Sequence, residues 1–196
     1  MKKLSNDFYQ REDVVLIAKE LLGKVLVTNF NDEITAGIIT ETEAYNGAVD
    51  KASHAYNNRR TNRTEIMFGI GGNAYVYLCY GIHHLFNVVT NKNEIPHAIL
   101  IRAVQPYKGN NIMLNRLNRK VLPANIAGPG LVSKALGINT IHSGMSLKSK
   151  ELYIADEGII FPENAIKSTP RIGVDYAEED ALLPYRFVVE SANFKH

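Results

Sequence analysis

The sequence has little cysteine and no long apolar run, and both absences exclude classes of protein. Cys79 is the only cysteine among 196 residues, which excludes an internal disulfide framework and a metal site built from several cysteines. No uninterrupted apolar stretch approaches the roughly 20 residues that a membrane-spanning helix needs. Met1 to Asp7 lacks the apolar segment of a secretory signal. We therefore expect a soluble cytoplasmic protein, whose reducing surroundings suit a single thiol.

Acidic residues are absent from a long central segment. Between Ile95 and Lys150 there is no Asp or Glu, whereas the segment from Glu151 onward is acidic on balance, most densely at Glu178 to Asp180. The central segment carries Arg102, Lys108, Arg116, Arg119, Lys120, Lys134, Lys148 and Lys150. A segment of one sign creates a local positive field even though the formal net charge is only +2. The pattern favours binding of a polyanion, and the alternative is a solvated surface whose counter-charges lie elsewhere in the fold.

Repeats, low-complexity tracts and linkers are also absent, which predicts one domain over residues 1–196. Helical spacing or glycine stops predict helices at 11–22, 107–120 and 128–136. Alternating or apolar runs predict strands at 24–30, 34–45, 75–81, 85–90, 98–104, 152–155, 171–174 and 185–190. Because most neighbouring strands are joined by short turns, we expect an α+β fold with a curved, mostly antiparallel sheet and peripheral helices.

Two of the predicted strands bring a carboxylate together with tyrosines. Successive strand side chains alternate faces, so Glu43 and Tyr45 point the same way. On the second strand, Tyr75 and Tyr77 share one face, and Tyr80 lies on the other just before Gly81. A carboxylate that activates water, aromatic rings that stack on a base and a ring that fills a gap are the parts needed to act on a base inside duplex DNA.

Several motifs resemble those of the 3-methyladenine (alkyladenine) DNA glycosylases of the eukaryotic type, which also occur in bacteria. The strongest are Glu41-Thr-Glu-Ala-Tyr45, Ser53-His54, Tyr75-Val-Tyr-Leu-Cys-Tyr-Gly81 and Leu100-Ile-Arg-Ala103. Weaker likenesses lie at residues 18–24, 87–90, 128–130 and 184–188, so the resemblance spans nearly the whole chain. Each motif alone is weak, but their order and spacing are specific. The resemblance implies an enzyme of base-excision repair that acts on double-stranded DNA containing damaged purines.

The resemblance also implies roles for single residues. Glu43 would be the general base that activates water for attack on the sugar C1′, although a strand carboxylate alone is more often an ordinary surface group. Tyr45, His54 and Tyr77 would form the base sandwich, with hydrogen bonds to the base edge near His54, while Tyr75 is expected to be core. Asn87 would reject guanine through its 2-amino group, or it caps a turn at a strand end. Tyr80 would enter the duplex from the minor groove.

The remaining implied contacts concern the DNA backbone. Arg102 would contact either a phosphate or the catalytic carboxylate, and the sequence leaves both open. Gly128 and Gly130 would offer backbone amides to a phosphate at a helix start. Relatives usually carry Lys or Arg directly after this motif, whereas this chain has Leu131, so Lys134 one turn later would supply the charge.

No lysine or N-terminal amine takes the nucleophile position in this scheme. A monofunctional enzyme is therefore expected, which leaves an abasic site, needs no cofactor and acts as a monomer near the nucleoid. A metal site of Glu41, Glu43 and His54 is disfavoured, because carboxylates two residues apart are common on exposed strands. The lesions expected are 3-methyladenine and, with more help from the enzyme, hypoxanthine and ethenoadenine.

Two other functions remain open on the sequence alone. One is a nucleic-acid-binding module without chemistry, built on the basic segment and the exposed tyrosines. The other is a hydrolase of small nucleosides or sugars that uses Glu41 and Glu43. The second does not explain the acid-free segment.

Overall fold

A computed structural model describes residues 1–190 and shows an α+β domain built on one curled sheet. The expected fold class is confirmed. The described residues form ten strands and four α-helices, joined by loops and short 3-10 turns. The strands are β1 (Lys2–Lys3), β2 (Val25–Phe30), β3 (Glu33–Tyr45), β4 (Ala74–Cys79), β5 (His83–Thr90), β6 (His97–Lys108), β7 (Ile126–Ala127), β8 (Leu152–Asp156), β9 (Ile166–Thr169) and β10 (Arg186–Val189). The helices are α1 (Asn6–Tyr9), α2 (Val14–Glu20), α3 (Asn110–Leu117) and α4 (Pro129–Leu136).

The sheet follows the order β1-β8-β2-β3-β6-β5-β4, and β10 adds to β3 on the other side of its C-terminal half. All pairings among these strands are antiparallel. β3 and β6, with 13 and 12 residues, are the long central strands. Gly37 on β3 lies so close to Val104 on β6 that an added Cβ would stand 2.7 Å from the valine Cβ. A glycine is therefore needed where these strands approach most closely.

The β3–β6 ladder is irregular on both sides of Glu41. Ile39 pairs with Val104, Glu41 with Ala103 and Thr42 with Ile101. Thr40 and Arg102 therefore have no partner in the register, and each strand carries one extra residue. Bulges of this kind redirect side chains and occur next to active sites.

The helices pack against one face of the sheet and complete the main core. Residues Ile17, Ala18 and Leu21 of the α2 segment, together with Val132, Ala135 and Leu136 of α4, belong to the same buried cluster as the central strands. The side chain of Asp13 accepts a hydrogen bond from the Leu16 N–H and caps α2. Gly128 and Gly137 flank α4 with positive φ, as the glycine stop at Gly137 predicts. Among the described residues, no helix combines the length and apolar character that crossing a bilayer requires.

Two sequence predictions of secondary structure are wrong. The predicted strand at 171–174 is a loop, because Arg171 is fixed by an ion pair and the Ile172 N–H binds a side chain instead of a neighbouring strand. The predicted helix at 107–120 begins only at Asn110, because β6 continues to Lys108 by pairing with β3. The sequence also missed β9, which pairs with β10.

Candidate active site

Glu43 and Tyr45 lie on one face near the end of β3, as the two-residue period of a strand predicts. The Tyr45 hydroxyl donates to Glu43 Oε2 over 2.9 Å. The other carboxylate oxygen, Oε1, accepts from the Ile172 backbone N–H over 2.8 Å. Glu43 itself is completely buried. The carboxylate is therefore fixed by groups from two separate parts of the chain.

Arg102 on β6 joins the two glutamates of β3. Its Nε donates to Glu41 Oε1 over 3.0 Å, and its NH1 group donates to Glu43 Oε2 over 3.2 Å. Arg186 on β10 reaches the same Glu41 oxygen over 2.7 Å. Of the two contacts that the sequence left open for Arg102, the structure thus shows the one with the carboxylate. The bulge at Arg102 lies at this contact.

The electrostatics of Glu43 combine opposing effects. Burial raises the pKa of its carboxyl above the ordinary value, and the negative charge of Glu41 adds to that rise. Arg102, the Ile172 N–H and the Tyr45 hydroxyl each lower the pKa by stabilising the charged form. A net upward shift brings a carboxylate closer to the neutral range in which a general base is most effective.

A cavity of about 420 Å³ opens beside this carboxylate. Its wall includes the rings of Tyr45, His54, Tyr75, Tyr77, Tyr80 and Tyr176, with Asn87, Arg102 and Ile172 as further lining residues. Glu43 lies behind Tyr45, Arg102 and Ile172. All four residues that the resemblance assigned to a base pocket, Tyr45, His54, Tyr77 and Asn87, therefore line one space.

His54 and Tyr77 contact each other within that wall. Their ring centroids are 4.7 Å apart with the planes at 79°, so a base has no room between these two rings. The His54 Nδ1 lies 2.9 Å from the hydroxyl of Tyr75, which is buried as expected. Burial, with Arg63 and Arg59 nearby, lowers the pKa of His54 to about 4, so its ring is neutral at pH 7.

Asn87 is held by the backbone around it. Its Nδ2 donates to the carbonyls of Tyr75 and Leu85 over 3.1 and 3.3 Å, and the side chain is buried. The turn-capping alternative does not apply, since Asn87 lies inside β5. A fixed amide in the cavity wall presents a rigid surface to the edge of any ring that enters.

Tyr80 stands at the tip of the β4–β5 hairpin and is 91% exposed. Tyr80 and Gly81 both have positive φ, +50° and +72°, and the Ile82 N–H donates to the Cys79 carbonyl across the turn. These are the features of a type I′ hairpin turn, in which a tyrosine is strained and a glycine is not. The turn presents the Tyr80 ring at the mouth of the cavity.

The start of α4 lies beside this hairpin and also lines the cavity. Gly128, Gly130 and Leu131 line the cavity, and the Gly128 N–H donates to the Arg102 carbonyl over 2.9 Å. Gly130 packs against His83, whose Nδ1 would lie 3.0 Å from an added Cβ. Lys134 is exposed one turn further on. The Gly128 N–H is thus already bonded within the chain, which argues against the expected use of this amide for a phosphate, whereas the roles expected of Gly130 and Lys134 stay predictions.

The acid-free segment divides into two groups in the fold. Arg102 and Arg116 are bound to carboxylates, Arg116 to Glu33 over 2.9 Å. The remaining six basic residues are exposed: Lys108, Arg119, Lys120, Lys134, Lys148 and Lys150.

Sequence reasoning missed several residues that build the site. Arg171, Asp50 and Arg186 hold its ion pairs, Ile172 supplies an amide to Glu43, and Tyr176 lines the cavity. Arg186 falls within the motif at 184–188, which was the only signal for any of them. Within residues 1–190, no three carboxylate, histidine or cysteine side chains are grouped as a metal site would need.

An α+β domain with a buried, arginine-bound carboxylate behind an aromatic cavity is typical of a hydrolase that binds a flat ring. The chain matches the family described as Methylpurine-DNA glycosylase (MPG) over residues 7–193. It is 48% identical to a protein of Chlamydia felis named "Putative 3-methyladenine DNA glycosylase", covering 95% of each chain. A protein of the same name from Bacillus cereus is 45% identical, and the match covers 95% of each chain. Another from Desulfitobacterium hafniense is 40% identical, and the match covers 99% of this chain and 98% of the relative.

The chain belongs to the methylpurine-DNA glycosylase family. It is accordingly a DNA glycosylase, an enzyme of base-excision repair that hydrolyses N-glycosyl bonds in DNA. The family and the enzyme class expected from the sequence motifs are confirmed.

Proposed function

We propose that this glycosylase is monofunctional: it takes a damaged purine, 3-methyladenine above all, out of duplex DNA and leaves an abasic site. The observation that carries the proposal is the position of Glu43, buried directly behind an aromatic cavity and bound by Arg102, Tyr45 and the Ile172 N–H. A carboxylate in this position can stabilise the positive sugar of an N-glycosidic transition state and accept a proton from water.

The reaction needs three events that balance. The bond between C1′ and the base nitrogen breaks with its electron pair on the base, water attacks C1′, and Glu43 accepts the proton that the water loses. Since Tyr45 donates to Glu43 Oε2, the attacking water either replaces that hydroxyl or connects to the carboxylate through it. No lysine is among the described residues that line the cavity, which supports hydrolysis over an imine mechanism.

The cavity wall would select the base. A flipped ring would lie against Tyr45, His54 and Tyr77; because the planes of His54 and Tyr77 are nearly perpendicular, it would stack face to face on one of these two rings and meet the edge of the other. Stacking is worth about 1–3 kcal/mol per base and depends little on which base it is. Asn87, fixed by two backbone carbonyls, would exclude the guanine 2-amino group. Tyr80 would fill the space left in the duplex, and the amide at Gly130, together with Lys134, would bind a phosphate, since the Gly128 N–H already donates to the Arg102 carbonyl.

The substrate range would follow from the leaving group. 3-Methyladenine carries a positive charge in the nucleotide and departs as a neutral base, so it needs little assistance. Hypoxanthine and ethenoadenine are neutral and would be released more slowly from the same cavity. The enzyme would act as a monomer, because no step of this reaction calls for a second copy of the chain.

The test measures base release with EDTA present, which removes any metal contribution. Methylated DNA and duplexes carrying hypoxanthine or ethenoadenine are incubated with the enzyme at low salt, and alkali then cleaves at abasic sites. We expect alkali-dependent cleavage that falls by about 10²–10⁴-fold in Glu43→Gln, the range for loss of a general base. Duplex binding should persist in this variant.

Glu41→Gln is the matched control, because Glu41 lies two residues away and contacts Arg102 and Arg186, whereas the cavity-lining Tyr45 hydroxyl and Ile172 N–H bind Glu43 instead. It should reduce the rate less than Glu43→Gln. Base release that is unaffected by Glu43→Gln would refute the assignment of the base. Tight, salt-sensitive binding without release from any of these DNAs would refute the proposed reaction on them.

A further inference from the structure

Arg171 is a buried arginine whose guanidinium holds three parts of the chain together. It is 5% exposed. NH1 donates to the carbonyl of Ala44, the residue between Glu43 and Tyr45, over 2.9 Å. NH2 donates to Asp50 Oδ1 over 2.9 Å and to the Asp180 carbonyl over 3.0 Å. Both nitrogens bind Asp50, so the pair is bidentate.

Asp50 in turn organises the loop that follows β3. Its carboxylate oxygens accept from the backbone N–H groups of Asn46 and Ala52, over 2.9 and 3.0 Å. The Asp50 side chain is as buried as that of Arg171. The ion pair therefore fixes the loop after β3 to the segment around Arg171.

Arg171 reaches the active site in two ways. Its Cζ lies 4.9 Å from the ring centroid of Tyr45, and because Arg171 does not line the cavity, it contacts this ring from the side away from the cavity. The next residue, Ile172, donates its N–H to Glu43. The side chain of Arg171 thus supports the Tyr45 ring, and the peptide that follows Arg171 donates its N–H to the Glu43 carboxylate.

We propose that Arg171 is a positioning residue for base excision, which places the Ile172 N–H against Glu43 and holds the Tyr45 ring through the Ala44 carbonyl. The inference rests on the proposed role of Glu43. A stabilising role alone explains the geometry less well, because a buried ion pair often adds little net stability. The bonds to Ala44, Asp50 and Asp180 use the planar fork of an arginine, which a lysine cannot reproduce.

The first test does not depend on activity. Arg171→Lys keeps a positive charge beside Asp50 and removes the fork. In ¹⁵N-labelled protein, the Ile172 amide resonance should follow the titration of Glu43. The charged and polar groups that face Glu43 come from three places. Glu41 and Tyr45 lie on β3, Arg102 lies on β6, and Arg171 and the Ile172 N–H lie in the loop after β9.

The direction of the change follows from the lost hydrogen bond. The Ile172 N–H lowers the Glu43 pKa, so displacing it should move the titration to higher pH and shift the amide resonance upfield. An Ile172 resonance and a titration identical to those of the wild type would overturn the proposal.

The second test is the single-turnover rate of base release from methylated DNA as a function of pH. We expect Arg171→Lys to lower the rate by about 10–100-fold, the effect of a small misplacement, with duplex affinity unchanged. The acid side of the profile should also move to higher pH, because Glu43 is inactive as a base when protonated.

Arg116→Lys is the matched control, since Arg116 also binds a carboxylate and a backbone carbonyl but lies away from the cavity. It should leave the pH profile of base release unchanged. An equal shift of the pH profile in Arg171→Lys and Arg116→Lys would overturn the proposal. If Arg171→Lys does not fold, the double variant Arg171→Gln with Asp50→Asn replaces it, because that variant leaves no unpaired buried charge. If the wild type releases no base, the proposed function fails while the amide titration still decides the role of Arg171.

Discussion

At the scale of single residues, the site depends on ionisable groups that are kept from water but not left without partners. Glu43 is buried and binds three donors, whereas His54 is buried and binds the Tyr75 hydroxyl. Burial acts in opposite directions on their pKa values, raising that of the carboxyl and lowering that of the imidazole. Both shifts favour neutral forms, which is the usual effect of removing solvent from a titratable group.

His54 makes folding sensitive to acid in a defined pH range. Its pKa falls from 6.5 in the unfolded chain to about 4 in the fold. Between these two pH values the unfolded chain is protonated at His54 whereas the folded protein is not. Stability from the neutral ring is complete above pH 6.5 and is lost as the pH falls towards 4. Between pH 7 and about pH 5 this loss amounts to about 2 kcal/mol of unfolding free energy.

The variant His54→Gln removes this titration and keeps a group that can bond Tyr75. Urea unfolding of both proteins at the two pH values gives the difference directly, because the other titrating groups are common to both. We expect the wild type to lose about 2 kcal/mol more than the variant on acidification. Equal losses would show that folding does not lower the pKa of His54.

Single residues also show where prediction from sequence succeeds. The contact between Glu43 and Tyr45 follows from a two-residue strand period, which is a local property. The contacts of Arg171 with Ala44 and Asp50 span 127 and 121 residues, and no local pattern encodes them. The chemistry-bearing side chains were therefore predictable, whereas the residues that hold them in place were not.

At the scale of elements, the β4–β5 hairpin carries strain where the enzyme would meet DNA. The sequence placed Tyr80 before a glycine, and the structure gives both residues positive φ. For a non-glycine residue, this conformation costs about 1–2 kcal/mol. Asparagine tolerates the left-handed region, and Asn-Gly is the preferred pair for a type I′ turn.

The variant Tyr80→Asn should therefore fold more stably and work less well. We expect a gain of about 1 kcal/mol, which raises the melting temperature by about 2–4 °C for a chain of this size. Base release from duplex DNA should fall, while release from single strands should change less, because only a duplex leaves a gap for the ring to fill. Tyr80→Phe, which keeps both ring and strain, serves as the control. A variant that gains stability without losing duplex activity would contradict the wedge role.

The elements also show why some predictions were wrong. Short apolar runs such as Ile172 to Val174 fit a strand by composition alone, but their backbone groups bind side chains of the site. β9, in contrast, has a mostly polar sequence, because it pairs only with β10 at the margin of the sheet, and such a sequence does not predict a strand. The pairing of long strands was predictable, and the paths of short marginal segments were decided by tertiary contacts.

At the scale of the whole molecule, charge is distributed unevenly along the chain. The start of α4 and the exposed lysines beyond it belong to the acid-free segment, and the acidic segment at 178–180 follows the loop that supplies Ile172. Lys51 binds both Glu178 and Glu179, which offsets part of that negative charge. A small net charge thus conceals the exposed basic residues of the acid-free segment, here called the basic surface: Lys108, Arg119, Lys120, Lys134, Lys148 and Lys150.

Duplex binding should report this basic surface through its dependence on salt. Each phosphate contact that is lost lowers the slope of log affinity against log salt by about 1. We expect Lys134→Gln to weaken binding to all DNA sequences alike with this change of slope. Leu131→Lys places a charge at the cavity mouth and should raise affinity and slope by a similar amount.

Lys19→Gln is the control. Lys19 lies on α2 and its amine already binds Glu163, so the loss of this amine should leave the slope unaltered. Slopes that are the same in all three variants would place the DNA backbone away from the start of α4, and the assignment of Gly130 and Lys134 to phosphate binding would then be wrong.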